Sequence, residues 1–268
     1  WMRFVDKDPS EKMVWYDHPT ANRIQVIVHF LYHARKNGMD IEESSFYDLL
    51  YRHAEVMSSD AKYNNNNHGL MMDRSLMILG NVLDDEYLFT KGYYRAIDTF
   101  WYSYSYQGIH LENSPEYHNM VTNMYEGIES YLNRHDTSFG KNITKYMELA
   151  KAYPKILVKP DGMMPAIGDS GKGVFKKQKI YRNIYDVEAG IAVMQNKNET
   201  SFYVSFVCGY SSVVHKHKDD LSLTLNYKGK DFLVDPGKYN YSKTAERKYV
   251  VSKEAHTSFH LQNYDYSL

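Results

Sequence analysis

The sequence predicts an α+β protein, with helices first and antiparallel strands after them. Three observations carry that prediction. Apolar side chains recur at helical spacing through roughly the first 155 residues. The texture then breaks at two loop-forming stretches, Lys159-Pro160-Asp161-Gly162 and Gly168-Asp169-Ser170-Gly171. Beyond them lie short β-like runs, two of them joined through Lys228-Gly229-Lys230. The expected division is a helical part, 1–157, and a sheet part, 158–268.

Pro19 fits a first helical position, and Ile24, Ile27, Val28 and Leu31 keep the i, i+3, i+4, i+7 pattern up to a stop at Gly38. A second helix starts near Asp40, with Phe46, Leu49, Leu50 and His53 on one face. The run Asn64 to Gly69 leads into a third, Leu70 to Leu83, and a fourth spans about Asp85 to Tyr106. Ser114 followed by Pro115 is a cap and a first-turn proline, so a fifth begins there. A sixth covers Ser138 to Tyr153. Short connections between successive helices make antiparallel neighbours, as in a bundle, solenoid or toroid. Strands are expected over Ala189–Met194, Ser201–Cys208, Leu221–Tyr227 and Asp231–Val234.

Composition excludes several classes of function. A formal net charge of −1 gives no global field toward nucleic acid or a membrane surface, so an anionic partner must be held by local charges. The single cysteine, Cys208, rules out an intramolecular disulfide and a cysteine zinc cluster. No stretch approaches the length of a membrane-spanning helix, and Trp1-Met2-Arg3-Phe4 is not a signal peptide. Both ends read as cuts into a longer chain, which leaves room for a removed export signal. Tyrosine is abundant, 26 residues against 11 phenylalanines. That excess suits sugar-stacking clefts and equally suits half-buried helix positions.

Three stretches concentrate polar groups. Asn64-Asn65-Asn66-Asn67-His68-Gly69 opens a helix; one asparagine serves as a cap, while four and a histidine exceed that need. Amide and imidazole donors at a helix start can stabilise a developing negative charge. In the second, His110 to His118, Tyr117 falls in the first turn after the Ser114 cap, either packing on its helix or facing a cleft. The third, Val214-His215-Lys216-His217-Lys218-Asp219-Asp220, precedes a strand. Its two histidines at i, i+2 share one face in extended chain, and with Asp235 and His256 they offer nitrogen and oxygen metal ligands or form a charged turn.

Taken together and in order, these stretches resemble the heparinase II/III-like family of polysaccharide lyases, which includes alginate lyases. The matching residues are Asn67-His68-Gly69, Glu112 to His118, Pro160-Asp161-Gly162 with Pro165 and Gly168-Asp169, His215 to Asp219 with Leu221-Ser222, Val234 to Gly237, and Arg247-Lys248-Tyr249 with Ala255-His256. The resemblance implies part of an N-terminal (α/α) toroid followed by part of an antiparallel β-sheet domain. It implies that Asn67 and His68 contact the substrate carboxylate, that Tyr117 transfers the proton and that His215 assists. Glu112, Asn113 and Tyr249 are implied as further substrate contacts. His217, Asp235 and His256 match zinc ligands, the ion being mainly structural. Lys216, Lys218 and Thr257 depart from the family pattern. An acidic polysaccharide is the implied partner, and a secreted, periplasmic or envelope location follows from that substrate.

The chemistry is coherent without the name. A proton alpha to a charged carboxylate is barely acidic, and donors that neutralise the carboxylate stabilise the enolate-like state formed as it leaves. A tyrosine can take that proton and return it to the departing glycosidic oxygen, with no organic cofactor. Two other functions fit the residues. A glycoside hydrolase needs paired carboxylates, for which Glu112, Glu116 and Asp169 are available; a binding module needs only stacking tyrosines and a structural metal. Lys172, Lys176, Lys177 and Lys179 suit a polyanion or a solvated loop.

Overall fold

The computed structural model describes residues 13–198 and 201–268; the stretch Trp1 to Phe4 lies outside the described residues. Six α-helices come first: α1 (Asp17–Lys36), α2 (Glu43–Ser58), α3 (Asn67–Leu83), α4 (Glu86–Ser103), α5 (Pro115–Asn133) and α6 (Lys141–Leu157). Five strands follow: β1 (Ile184–Asp186), β2 (Ile191–Gln195), β3 (Phe202–Val207), β4 (Ser222–Tyr227) and β5 (Lys230–Leu233). A short helix, α7 (Ala245–Val250), and a 3₁₀ turn (Lys253–Ala255) close the order. The succession of helices and then an antiparallel sheet is the one the sequence predicts. Compactness cuts the chain elsewhere, into units Trp1–Tyr102 and Ser103–Leu268, so α5 and α6 go with the sheet. No helix among the described residues is long and apolar enough to cross a membrane.

In the first unit, α1 buries Ala21, Ile24, Ile27 and Leu31, the helical stripe expected, against Leu49, Leu50, Ala54 and Met57 of α2 and Met72, Leu76 and Leu79 of α3. The helix begins two residues before Pro19, which therefore sits in the first turn rather than at its first position. Amides of a first turn have no partner within the helix, so proline costs little there. At the start of α3, Oδ1 of Asn66 accepts from the amides of His68 (2.9 Å) and Gly69 (3.1 Å). Gly69 is required: a Cβ there would lie 1.9 Å from the Asn64 carbonyl oxygen. The asparagine loop is thereby folded onto its own helix.

In the second unit, Ser114 Oγ accepts the Tyr117 amide at 3.3 Å, and Pro115 occupies the first turn of α5. The sixth helix runs past the expected stop at Tyr153 to Leu157, with Pro154 inside it. Proline forfeits one helical hydrogen bond. In return Tyr153, Ile156 and Leu157 reach the core, beside Ile184, Ile191, Val193, Tyr203 and Val207 of the sheet. Burying side chains of that size stabilises by about 1.5–3 kcal/mol each, enough to outweigh one lost bond.

The sheet is an antiparallel meander in the order β1-β2-β3-β4-β5. Alternation puts Val193, Tyr203 and Val207 inward and leaves Met194 exposed. Lys228 and Gly229 both have positive φ, 50° and 76°, the two-residue turn whose twist matches a hairpin. Three-residue β1 and six-residue α7 went unpredicted, being too short to set a period.

Candidate functional site

Three chain segments meet in the second unit through residues of left-handed backbone: Asn113 (φ 57°), His215 (φ 57°) and Gly168 (φ 52°). Nδ2 of Asn113 donates to the carbonyls of Ser212 (2.6 Å) and Val214 (2.9 Å), fixing the β3–β4 loop just before His215. The amide of Asp169 donates to the His215 carbonyl at 3.2 Å. A Cβ on Gly168 would stand 2.4 Å from the Asn113 carbonyl oxygen and 2.8 Å from that of His215. Gly168→Ala should therefore cost on the order of 2 kcal/mol or more, from the clash and the positive φ combined, read as a lowered denaturant midpoint. An unchanged midpoint would show that the three segments are not locked together.

Tyr117, half-buried in the first turn of α5, stacks on His215 with ring centroids 3.5 Å apart and planes at 22°. Its hydroxyl lies 3.1 Å from that of Tyr241. Burial, the Tyr117 contact and the charge of Asp169 push the Tyr241 phenol well above its usual range. Tyr241 thus keeps its proton, and either hydroxyl can be the donor of the pair. His215 is held at both ring edges, with Nδ1 3.0 Å from Asp169 Oδ2 and Nε2 3.5 Å from Oε2 of buried Glu112.

Asp169 is the hub. Its Oδ1 accepts from Arg247 Nη2 at 2.6 Å and lies 2.9 Å from His217 Nε2. Burial alone would raise its pKa, but hydrogen bonds with His215, His217 and Arg247 outweigh it and hold the carboxyl well below the usual range. Arg247 also donates through Nη1 to the Lys238 carbonyl at 2.7 Å and covers the Tyr241 ring, 5.3 Å from its centroid. Glu116 is occupied as well, ion-paired with Lys238 and accepting from the Gly171 amide at 2.8 Å.

Of the three expected zinc ligands, His256 and Asp235 adjoin, Nδ1 to Oδ2 at 2.8 Å, while His217 turns its Nε2 to Asp169. The rings of His217 and His256 are 5.5 Å apart. Buried His217 Nδ1 and His256 Nε2 have no hydrogen-bond partner in the protein. The departures from the family pattern have local explanations. The Lys216 side chain is fully buried, with Nζ 2.5 Å from Asp219 and 3.0 Å from Asp220. Lys218 reaches Asp265 at 2.6 Å, and Thr257 donates to the Val234 carbonyl at 3.0 Å. Tyr249 is an exposed residue of α7.

Within the first unit, Asn67 is the first residue of α3 and His68 the second. Nδ1 of His68 lies 3.1 Å from Asp17 Oδ2, and Nδ1 of the neighbouring His18 lies 3.0 Å from Asp17 Oδ1. The two imidazole rings are 4.6 Å apart. Asp17 and His18 carry no signal in the sequence beyond standing at a helix start, and Tyr241 is one tyrosine among many.

The profile of the heparinase II/III-like C-terminal family matches residues 187–267. A search of curated proteins gives no match. Among solved structures, the chain is similar to a mutant of the heparan sulfate lyase HepC from Pedobacter heparinus, with TM-score 0.71 and 16% identity over 96% of this chain and 47% of that one. It is also similar to a crystal structure of heparinase III, with TM-score 0.73 and 14% identity over 95% of this chain and 49% of that one. The chain spans about half the length of the solved proteins it matches.

Proposed function

We propose that this chain, whose residues 187–267 are a heparinase II/III-like C-terminal region and whose fold is that of part of heparinase III, acts in a polysaccharide lyase that cuts a uronic-acid-containing polysaccharide by β-elimination. The observation that carries the reading is Tyr117, stacked on His215 with its hydroxyl against Tyr241. A group that moves a proton must be oriented and must have its charged form stabilised. The Tyr241 hydroxyl lies within hydrogen-bond reach of the Tyr117 oxygen, and Asp169 and Glu112 flank His215 beneath it.

In the proposed reaction Asn67 and His68 neutralise the uronate carboxylate, which makes the neighbouring proton removable. Tyr117 takes that proton. The electron pair moves into a new carbon–carbon double bond, the bond to the glycosidic oxygen breaks, and Tyr117 returns the proton to the leaving oxygen. Glu112 and Asn113 support His215 and its loop, and Tyr249 on α7 contacts the polymer further out. The substrate class rests on the resemblance and on the heparan sulfate named for a similar structure; location outside the cytoplasm follows from it.

Zinc fits the residues that the resemblance nominates. Two buried histidine nitrogens without partners, on rings 5.5 Å apart, are the donor type zinc takes. His217 through Nδ1 and His256 through Nε2 would hold it, with Asp235 at the other edge of the His256 ring. Its contribution would be to tie the β3–β4 loop to the segment after α7.

Eliminative cleavage gives an unsaturated product that absorbs in the ultraviolet, hydrolysis gives reducing ends alone, and binding gives neither. Against a panel of acidic polysaccharides, absorbance should rise with at least one. Reducing ends without absorbance would replace this reading with the hydrolase. That alternative is the weaker one because Glu116 and Asp169 are both engaged by cations.

A further inference from the structure

We propose that Asp17, His18 and His68 form a site for a divalent metal ion of the zinc class, separate from the His217, Asp235 and His256 set. One ligand atom from each of the three lies within 4.8 Å of the others, the convergence found among the described residues. Nδ1 of His18 lies 3.0 Å from Asp17 Oδ1 and Nδ1 of His68 lies 3.1 Å from Asp17 Oδ2, so each imidazole faces its own oxygen of one carboxylate. Zinc, with bonds of about 2.0–2.1 Å, sets tetrahedral ligand atoms about 3.3 Å apart, so the three atoms, now within 4.8 Å of one another, need to draw together by at most roughly 1.5 Å.

The local structure presets this arrangement. Asp17 and His18 are the first two residues of α1, and His68 is the second of α3. These helices are fastened where Ser75 Oγ donates to the Ala21 carbonyl at 2.9 Å. The Asp17 side chain is 9% exposed, while those of His18 and His68 are 36% and 34% exposed. A buried carboxylate under two half-exposed imidazoles leaves an outer coordination position open, as in zinc sites that keep water or substrate as a ligand.

Helix starts ordinarily favour anions through free amides. Here those amides are spent. Asn66 Oδ1 takes the amides of His68 and Gly69, and Asp17 Oδ1 takes that of His18 at 2.5 Å. What remains is one carboxylate and two imidazoles, a donor set of nitrogen and oxygen that suits zinc. The role of the open position rests on the lyase reading above: it accepts a carboxylate oxygen of the uronic acid, so that His68 acts on the substrate through the ion.

Zinc content after dialysis against a weak chelator, and titration with zinc chloride, test the site. The parent protein, His18→Ala, His256→Ala and the double variant should be compared. His18→Ala should lose one equivalent or bind at least tenfold more weakly, in the parent and the His256→Ala background alike. His18→Gln, which keeps bulk and polarity, serves if circular dichroism shows the alanine variant unfolded, and should show the same loss. Equal zinc in the parent and a folded His18 variant overturns the proposal, whatever the activity. Zinc lost as expected from a protein giving no ultraviolet-absorbing product overturns the lyase reading and leaves the metal site standing.

Discussion

Tyr117→Phe should lower eliminative turnover by about a hundredfold or more while leaving substrate binding nearly intact, the scale on which general acid–base groups act. Phenylalanine preserves the ring and its stack on His215 and deletes only the hydroxyl that faces Tyr241. A tyrosine kept for packing would tolerate the change with a small stability loss. The separate readouts are the initial rate of ultraviolet absorbance at saturating polymer, the KM, and the melting temperature. Near-normal turnover in a folded variant would sink the mechanism and leave the fold assignment untouched.

The largest stability effect is expected at Asp169. Asp169→Asn keeps the shape and removes the charge that holds Arg247 at 2.6 Å and faces both His215 and His217. Breaking a buried pair by removing one partner costs about 3–5 kcal/mol, because the other charge stays in place without compensation. For a protein of this size that is a fall in melting temperature of roughly 6–20 °C. Adding Arg247→Gln should cost less than the sum of the two single changes, since both remove the same pair. A melting temperature within a degree or two of the parent would mean that the network contributes little to stability.

Much of the fold was legible because long elements repeat their signals. Ile24, Ile27 and Leu31 read as one helical face and form one, and the change to strands falls in the loops after Leu157. Shorter features escaped. Three residues of β1 cannot show an alternation, and Pro154 pointed to a helix end where burial of Ile156 and Leu157 carries the helix onward. Likewise, compactness groups α6 with the sheet, where Tyr153, Ile156 and Leu157 pack, and α5 with its partner α6, and periodicity says nothing about partners.

At the candidate site, local chemistry could be read and distant pairing could not. Ser114 announces its own helix, so Tyr117 was placed in the first turn from sequence alone. By contrast, Asp169 looks like one aspartate of a loop until His215, His217 and Arg247 are brought to it. Asp17 and His18 resemble any helix start until His68 arrives from another helix. The family resemblance supplied His217, Asp235 and His256 as a set, but the bond from His217 to Asp169 is a matter of geometry alone.

The meander has a bearing on the order in which the protein acquires its parts. Every strand pairs with the next one in the chain, and the tightest link is the two-residue turn at Lys228-Gly229. Such a sheet can zip outward from that turn without first closing a long loop. The site is assembled from the opposite kind of contact, spanning 46 residues from Asp169 to His215, 78 from Asp169 to Arg247 and 124 from Tyr117 to Tyr241. Loop-closure entropy must be met before contacts of that span reward it. Scaffold therefore precedes chemistry along the folding route. In partial unfolding the order reverses, and the long-span contacts of Asp169 and Tyr117 are lost while most of the sheet still stands.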